Sequence, residues 1–167
     1  MILKKINDIL FKICGVISTA LLFGIVAVTF SQVICRYFLK KSLIWSSELT
    51  VFFLVWMVFL ACSMGYRKNS IASLTMVTDR LPPRGRSLAK IASACFMLIF
   101  VSVSFYGNME IIRMAAGKVS SILHANMQFI YSAWSVAAVL MSLYALEKIM
   151  DAAIEFKNGG DIRKEVA

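Results

Sequence analysis

The side chains able to do chemistry in this 167-residue chain are few, and they sit at the margins of long apolar runs. Its nine carboxylates and eighteen Lys and Arg residues fall in clumps, leaving uncharged stretches at Ile13–Cys35, Leu49–Tyr66, Ile91–Met109 and Val119–Leu146. One histidine, His124, cannot make a zinc site unaided or hold haem through two imidazoles. With Asn126 and Gln128 it could line a polar opening, or the three could simply form an interfacial turn at a helix start. The four cysteines (Cys14, Cys35, Cys62, Cys95) contain no C-x-x-C and lie in or beside the apolar runs, where a thiol behaves as a small apolar group. No constellation of Cys, His and carboxylate suits an active site. The expectation is therefore no catalytic, cofactor-binding or metal-ligating residue, and no enzyme.

What remains is one region suited to binding a partner. Arg36 and Tyr37 close the first apolar run, and Trp45 and Glu48 open the second. Ser46 or Ser47 could cap the second helix and leave Glu48 in its first turn, where the helix dipole favours a carboxylate. Alternatively, Glu48 pairs with Arg36 or with a basic group of another subunit. Within the runs, Ala20-x-x-x-Gly24 and Ala61-x-x-x-Gly65 are small-residue steps that permit close helix approach.

The elements that must hold these residues follow from composition. Hydrophobic residues make up 60% of the chain, with a mean hydropathy of +0.79, against about 45–50% apolar in soluble domains. A hydrocarbon core of about 30 Å is crossed by roughly 20 helical residues, and each uncharged run is long enough. These features imply an all-α integral membrane protein with four transmembrane helices, and they exclude a soluble enzyme, a disordered chain and a nucleic-acid-binding domain. With four spans both termini share a side, which then carries thirteen Lys and Arg against five opposite. The positive-inside rule places the termini and the central loop in the cytoplasm, so topology and anionic lipid account for the net charge of +9.

The expected organisation is a single membrane domain over 1–167. An amphipathic interfacial helix (1–12), or in the alternative a simple polar extension of the first helix, precedes a retained first span (13–35), and a second span covers 46–66. Another amphipathic interfacial helix follows at 70–82, where Ile71, Leu74, Val77 and Leu81 share a face and Pro82-Pro83 stops the pattern. The third span covers 88–109, the fourth 122–147, and a cytoplasmic tail 148–167. Tyr37, Trp45, Tyr106 and Tyr131 suit one membrane interface and Tyr66 and Tyr144 the other, while Trp56 and Trp134 sit mid-span. No span core carries a charge, and both prolines lie outside the spans. Carriers often build their sites from broken helices and intramembrane ionisable groups, so this chain reads as a support. The rival reading is an autonomous homo-oligomeric four-helix channel or exporter, with Ser18, Thr19, Thr29, Ser31 and Gln32 lining a pore.

The ordered set Arg36-Tyr37-x7-Trp45-x2-Glu48-x7-Trp56, followed by Arg67 and the 71–81 stretch ending at Leu81-Pro82, resembles the small membrane subunit of tripartite ATP-independent periplasmic (TRAP) transporters, the DctQ/SiaQ-like family. That family often has Gly near Ala61 and His near Ser70. The resemblance implies a non-catalytic scaffold of the bacterial inner membrane, in a sodium-driven importer of an organic acid such as sialic acid or a dicarboxylate. It would support a large elevator-type membrane subunit that holds the substrate and sodium sites, so no cofactor is expected in this chain. A periplasmic binding protein would deliver substrate, and lipids would surround the complex. On the same resemblance, Arg36, Trp45, Glu48 and Trp56 are the partner-interface candidates.

Overall fold

A computed structural model describes residues 2–38, 40, 43–68 and 83–157. Four helices occupy nearly all of them: α1 (Ile2–Phe38), α2 (Ile44–Arg67), α3 (Pro83–Met114) and α4 (Met127–Lys157). Each contains a stretch long and apolar enough to cross a membrane: Lys4–Phe38, Ile44–Arg67, Leu88–Met114 and Met127–Ile154. The expected interfacial helix at 70–82 and the end of the tail lie outside the described residues.

Several boundaries differ from expectation, for local reasons. Residues 2–12 are continuous with the first span in one 37-residue helix. Nothing between Lys12 and Ile13 breaks it, since the stretch holds neither Gly nor Pro. Pro83 opens α3 five residues before the expected start, because the first helical position needs no N–H and favours proline's fixed φ. α4 begins at Met127 rather than 122. The preceding residues instead close a tight loop, with Gly117 at φ +79° and His124 at φ +49°. The bridge between Val119 and Asn126 closes this loop. Asn126 then caps α4 by accepting from the Gln128 backbone N–H at 3.0 Å, the N-cap to N2 bond. At its far end α4 runs on to Lys157, two residues short of Gly159-Gly160.

Along α1 the enclosed positions step by four and three: Asn7, Phe11, Cys14, Ser18, Leu21, Ile25, Val28, Gln32 and Cys35. That heptad spacing is the seam of a left-handed helix pair, and it packs on α2. Close backbone neighbours run in the order α1, α2, α4, α3, with α1 touching α4 near its own N-terminal end. No close backbone approach joins α3 to α1 or α2 among the described residues. The helices therefore form an open row, with α2 and α4 parallel at its centre and α1 and α3 on its edges. The centre is lined by small residues: Ala133, Ala137, Ala138, Ala145 and Ala152 of α4 are all buried, and such residues let backbones approach closely. The edges are open. Val16, Phe23 and Phe30 on α1 are each about two-thirds exposed, as are Phe96 and Val103 on α3. In water such apolar surface would be untenable; in a bilayer it meets acyl chains or another apolar protein.

Candidate functional site

At one end of the row α2 begins earlier than the serine caps require. Leu43 is its N-cap without a side-chain cap bond, and Ser46 is buried inside the helix, donating back to the Leu43 carbonyl at 2.6 Å. Glu48 is thus the fifth helical residue, and neither expected local role is found. Its carboxylate reaches the loop before α4, where Oε2 accepts from the backbone N–H groups of Leu123 (2.8 Å) and Ile122 (3.2 Å). Two N–H groups aimed at one carboxylate oxygen form a small anion nest. This nest holds the 115–126 loop over the end of α2. His124, Asn126 and Gln128 belong to this turn and to the helix start. Gln128 donates to the Ile112 carbonyl at 3.2 Å, tying α4 to α3.

The other three candidates divide between surface and interior. Arg36 is exposed and makes no ion pair or hydrogen bond among the described residues, so the structure does not join it to Glu48. Trp45 is 43% exposed near the start of α2. Trp56 faces inward, its ring centroid 4.9 Å from that of Phe129. One turn on, Phe59 meets Trp134 edge-on at 5.3 Å. The mid-span tryptophans therefore fasten the parallel pair α2–α4, where offset and edge-on aromatic contacts are favourable. Of the four candidates, Arg36 and Trp45 lie on the surface, while Glu48 and Trp56 make contacts within the chain.

At the opposite end lies a polar cluster that the sequence reading did not assemble. Arg67, the last residue of α2, donates through Nη1 to the Asn7 carbonyl at 3.1 Å. Through Nη2 it donates to Asp8 Oδ1 at 2.6 Å and Glu147 Oε1 at 3.4 Å. Asn7, fully buried, donates from Nδ2 to Glu147 Oε2 at 2.7 Å and to the Leu143 carbonyl at 3.4 Å. The guanidinium also sits 5.4 Å from the ring centroids of Phe11 and Tyr144. Lys148 of α4 donates to the Tyr66 carbonyl, and Lys4 pairs with Asp151 at 2.7 Å. Together these contacts join α1, α2 and α4. The planar fork of arginine suits several acceptors at once. The available signal was Asn7 and Asp8 on a short amphipathic stretch and Glu147 ending the last uncharged run, but nothing in their spacing linked them.

Between the two ends the polar contacts are structural. Gln32 Nε2 donates to Ser47 Oγ across α1 and α2 at 3.5 Å. Asn108 Nδ2 donates to the Tyr131 carbonyl and to Ser135 Oγ across α3 and α4, at 3.0 and 2.9 Å. A Cβ added at Gly24 would stand 3.0 Å from Phe53 Cε2, so the first small-residue step is occupied inside the chain. At Gly65 a Cβ would meet nothing within 4 Å, and Ala61 is exposed. The second step therefore faces outward. The four cysteines are free thiols, and among the described residues no three His, Cys, Asp or Glu side chains stand close enough to share a metal ion.

A family model for the DctQ component of tripartite ATP-independent periplasmic transporters matches residues 25–154, from the middle of α1 almost to the end of α4. The chain is 22% identical over 134 residues to a Haemophilus influenzae protein whose name assigns it to the TRAP transporter small permeases, covering 80% of this chain and 83% of that one. Over 68 residues it is 35% identical to the C4-dicarboxylate TRAP transporter small permease protein DctQ of Vibrio cholerae, covering 40% of this chain and 29% of that protein. Over 86 residues it is 28% identical to the sialic acid TRAP transporter small permease protein SiaQ of the same organism, covering 52% and 50%. The match runs through the row of helices and the loop that Glu48 holds, and on that ground the chain belongs to the DctQ family, as a small permease subunit of a TRAP transporter and a multi-pass protein of the bacterial inner membrane.

Proposed function

We propose that this chain is the stationary, non-catalytic support of a sodium-driven importer of an organic acid of the sialic acid or C4-dicarboxylate kind. A large membrane subunit would carry the substrate and sodium sites and move them, and a periplasmic binding protein would deliver the acid. The observation that carries this reading is the open row. Its helices are intact, its charged side chains gather at the two ends, and its polar contacts fasten helix to helix. Among the described residues nothing suits holding and releasing an ion, whereas broad apolar faces and cross-braced ends suit a rigid wall against which another protein moves. The charge distribution favours both termini and the Arg67 end in the cytoplasm. The Glu48 end, with exposed Arg36 and Trp45, would then face the periplasm, within reach of a delivered binding protein. The substrate class rests on the names of the two Vibrio relatives.

Reconstitution tests the proposal. Liposomes holding this chain and the large subunit, with the binding protein outside, should take up labelled sialic acid or a C4-dicarboxylate only under an inward sodium gradient. Omitting this chain should abolish uptake. Full uptake by the large subunit without this chain would contradict the support role, and uptake by this chain alone would favour an autonomous channel.

A further inference from the structure

Beyond its role in transport, the ends of α3 and α4 form a pocket with the polarity of a lipid. A cavity of about 150 Å³ opens between them, lined by Ile111, Met114, Ala115, Lys118, Met127 and Tyr131. Its wall is apolar where α3 leaves its membrane-crossing stretch at Met114 and α4 enters its own at Met127. Lys118 lies beyond both limits, so the cation is stacked above the apolar wall along the direction in which the helices cross. The wall opens sideways: Met114 is 61% exposed and Ile111 45%, while Ala115 forms a buried floor. The turn around Lys118 is fixed by its own backbone, since its N–H donates to the Ala115 carbonyl at 3.0 Å and its carbonyl accepts from the Met127 N–H at 3.1 Å. No carboxylate pairs with Lys118 among the described residues. Lys118 is the one charged side chain of this lining, and the nearby Glu48 carboxylate is taken up by the Ile122 and Leu123 amides.

We propose that this pocket binds a phospholipid, with an acyl chain against Ile111, Met114 and Met127 and the phosphate on Lys118. A tyrosine in the wall at this height fits, because amphipathic rings favour the headgroup level. A lysine in the lining favours an anionic headgroup over a zwitterionic one. The lipid would sit between the end of α3 and the start of α4, on the edge of the row remote from α1. The inference does not depend on the transport reading.

The test is native mass spectrometry of the full chain, delipidated in detergent and titrated with palmitoyl-oleoyl phosphatidylglycerol or the matching phosphatidylethanolamine. Wild-type protein should retain phosphatidylglycerol preferentially. Lys118→Ala should weaken that binding about fivefold, the usual weight of one basic residue near a headgroup, and Lys118→Glu should abolish the preference. Because Lys118 is exposed and its backbone makes the turn, both variants should keep the wild-type helical content. Equal retention by wild type and both variants would overturn the proposal, as would equal binding of the two headgroups to wild type. So would loss of the bound lipid whenever a membrane-protein partner co-purifies, since the pocket would then be a protein contact.

Discussion

At the scale of single residues, the two ends of the molecule are governed by one carboxylate and one guanidinium. Glu48 satisfies two backbone N–H groups of a loop 74 and 75 positions away. Replacing it with Ala should expose the Ile122 and Leu123 amides to rapid hydrogen exchange, while Glu48→Gln, which keeps a carbonyl acceptor, should preserve most of the protection. Equal exchange in wild type and Glu48→Ala would show that the loop holds itself. Arg67 has a heavier role, because its side chain is only 18% exposed and faces a Glu147 carboxylate that is 13% exposed. Removing one partner of an enclosed pair leaves the other uncompensated, at a cost of about 3 kcal/mol. Arg67→Ala should therefore lower stability by about that amount in detergent unfolding. Arg67→Lys should recover only part of it, since an ammonium lacks the fork that serves Asn7, Asp8 and Glu147 together. An unchanged unfolding transition in Arg67→Ala would show that the cluster adds nothing.

At the scale of helices, the two small-residue steps look alike in sequence and differ in use. Gly24→Val would drive a branched side chain into Phe53, and overpacking of that kind costs about 2 kcal/mol. Gly65→Ala should leave the stability of the isolated chain within about 0.5 kcal/mol of wild type, because its Cβ points into open space. Thermal unfolding of the two variants side by side tests the assignment of inner and outer faces. This pair also shows what could be read without a structure. The four crossings were legible because charge is excluded from a bilayer core over a fixed length, and that length leaves a plain mark on the chain. The region of the Glu48 site was legible from Arg36, Trp45 and Glu48. Its partners were not, because they are backbone amides of the distant 115–126 loop, and amides carry no sequence signal. The helix start at Met127 departed from expectation because the residues before it close a loop, and the start at Ile44 because Leu43 rather than a serine stands at the cap. The Arg67 cluster stayed hidden since its members come from three helices.

At the scale of the molecule, the open row explains why so much apolar side chain lies outside the core. A closed four-helix bundle gives each helix two neighbours, whereas among the described residues α1 and α3 each leave one long flank uncovered. Cross-bracing at the Glu48 and Arg67 ends stiffens a slab that a ring of contacts would otherwise hold. Tags placed at both termini should resist protease added to intact spheroplasts and be cleaved once the inner membrane is opened, as the distribution of basic residues requires. Cleavage of either tag in intact spheroplasts would reverse or break the topology. The most direct test of the account is co-expression of the tagged chain with its neighbouring genes, followed by purification in detergent and mass determination. The account predicts a one-to-one complex with a large multi-span membrane protein; recovery of the chain as a stable homo-oligomer without such a partner would contradict it.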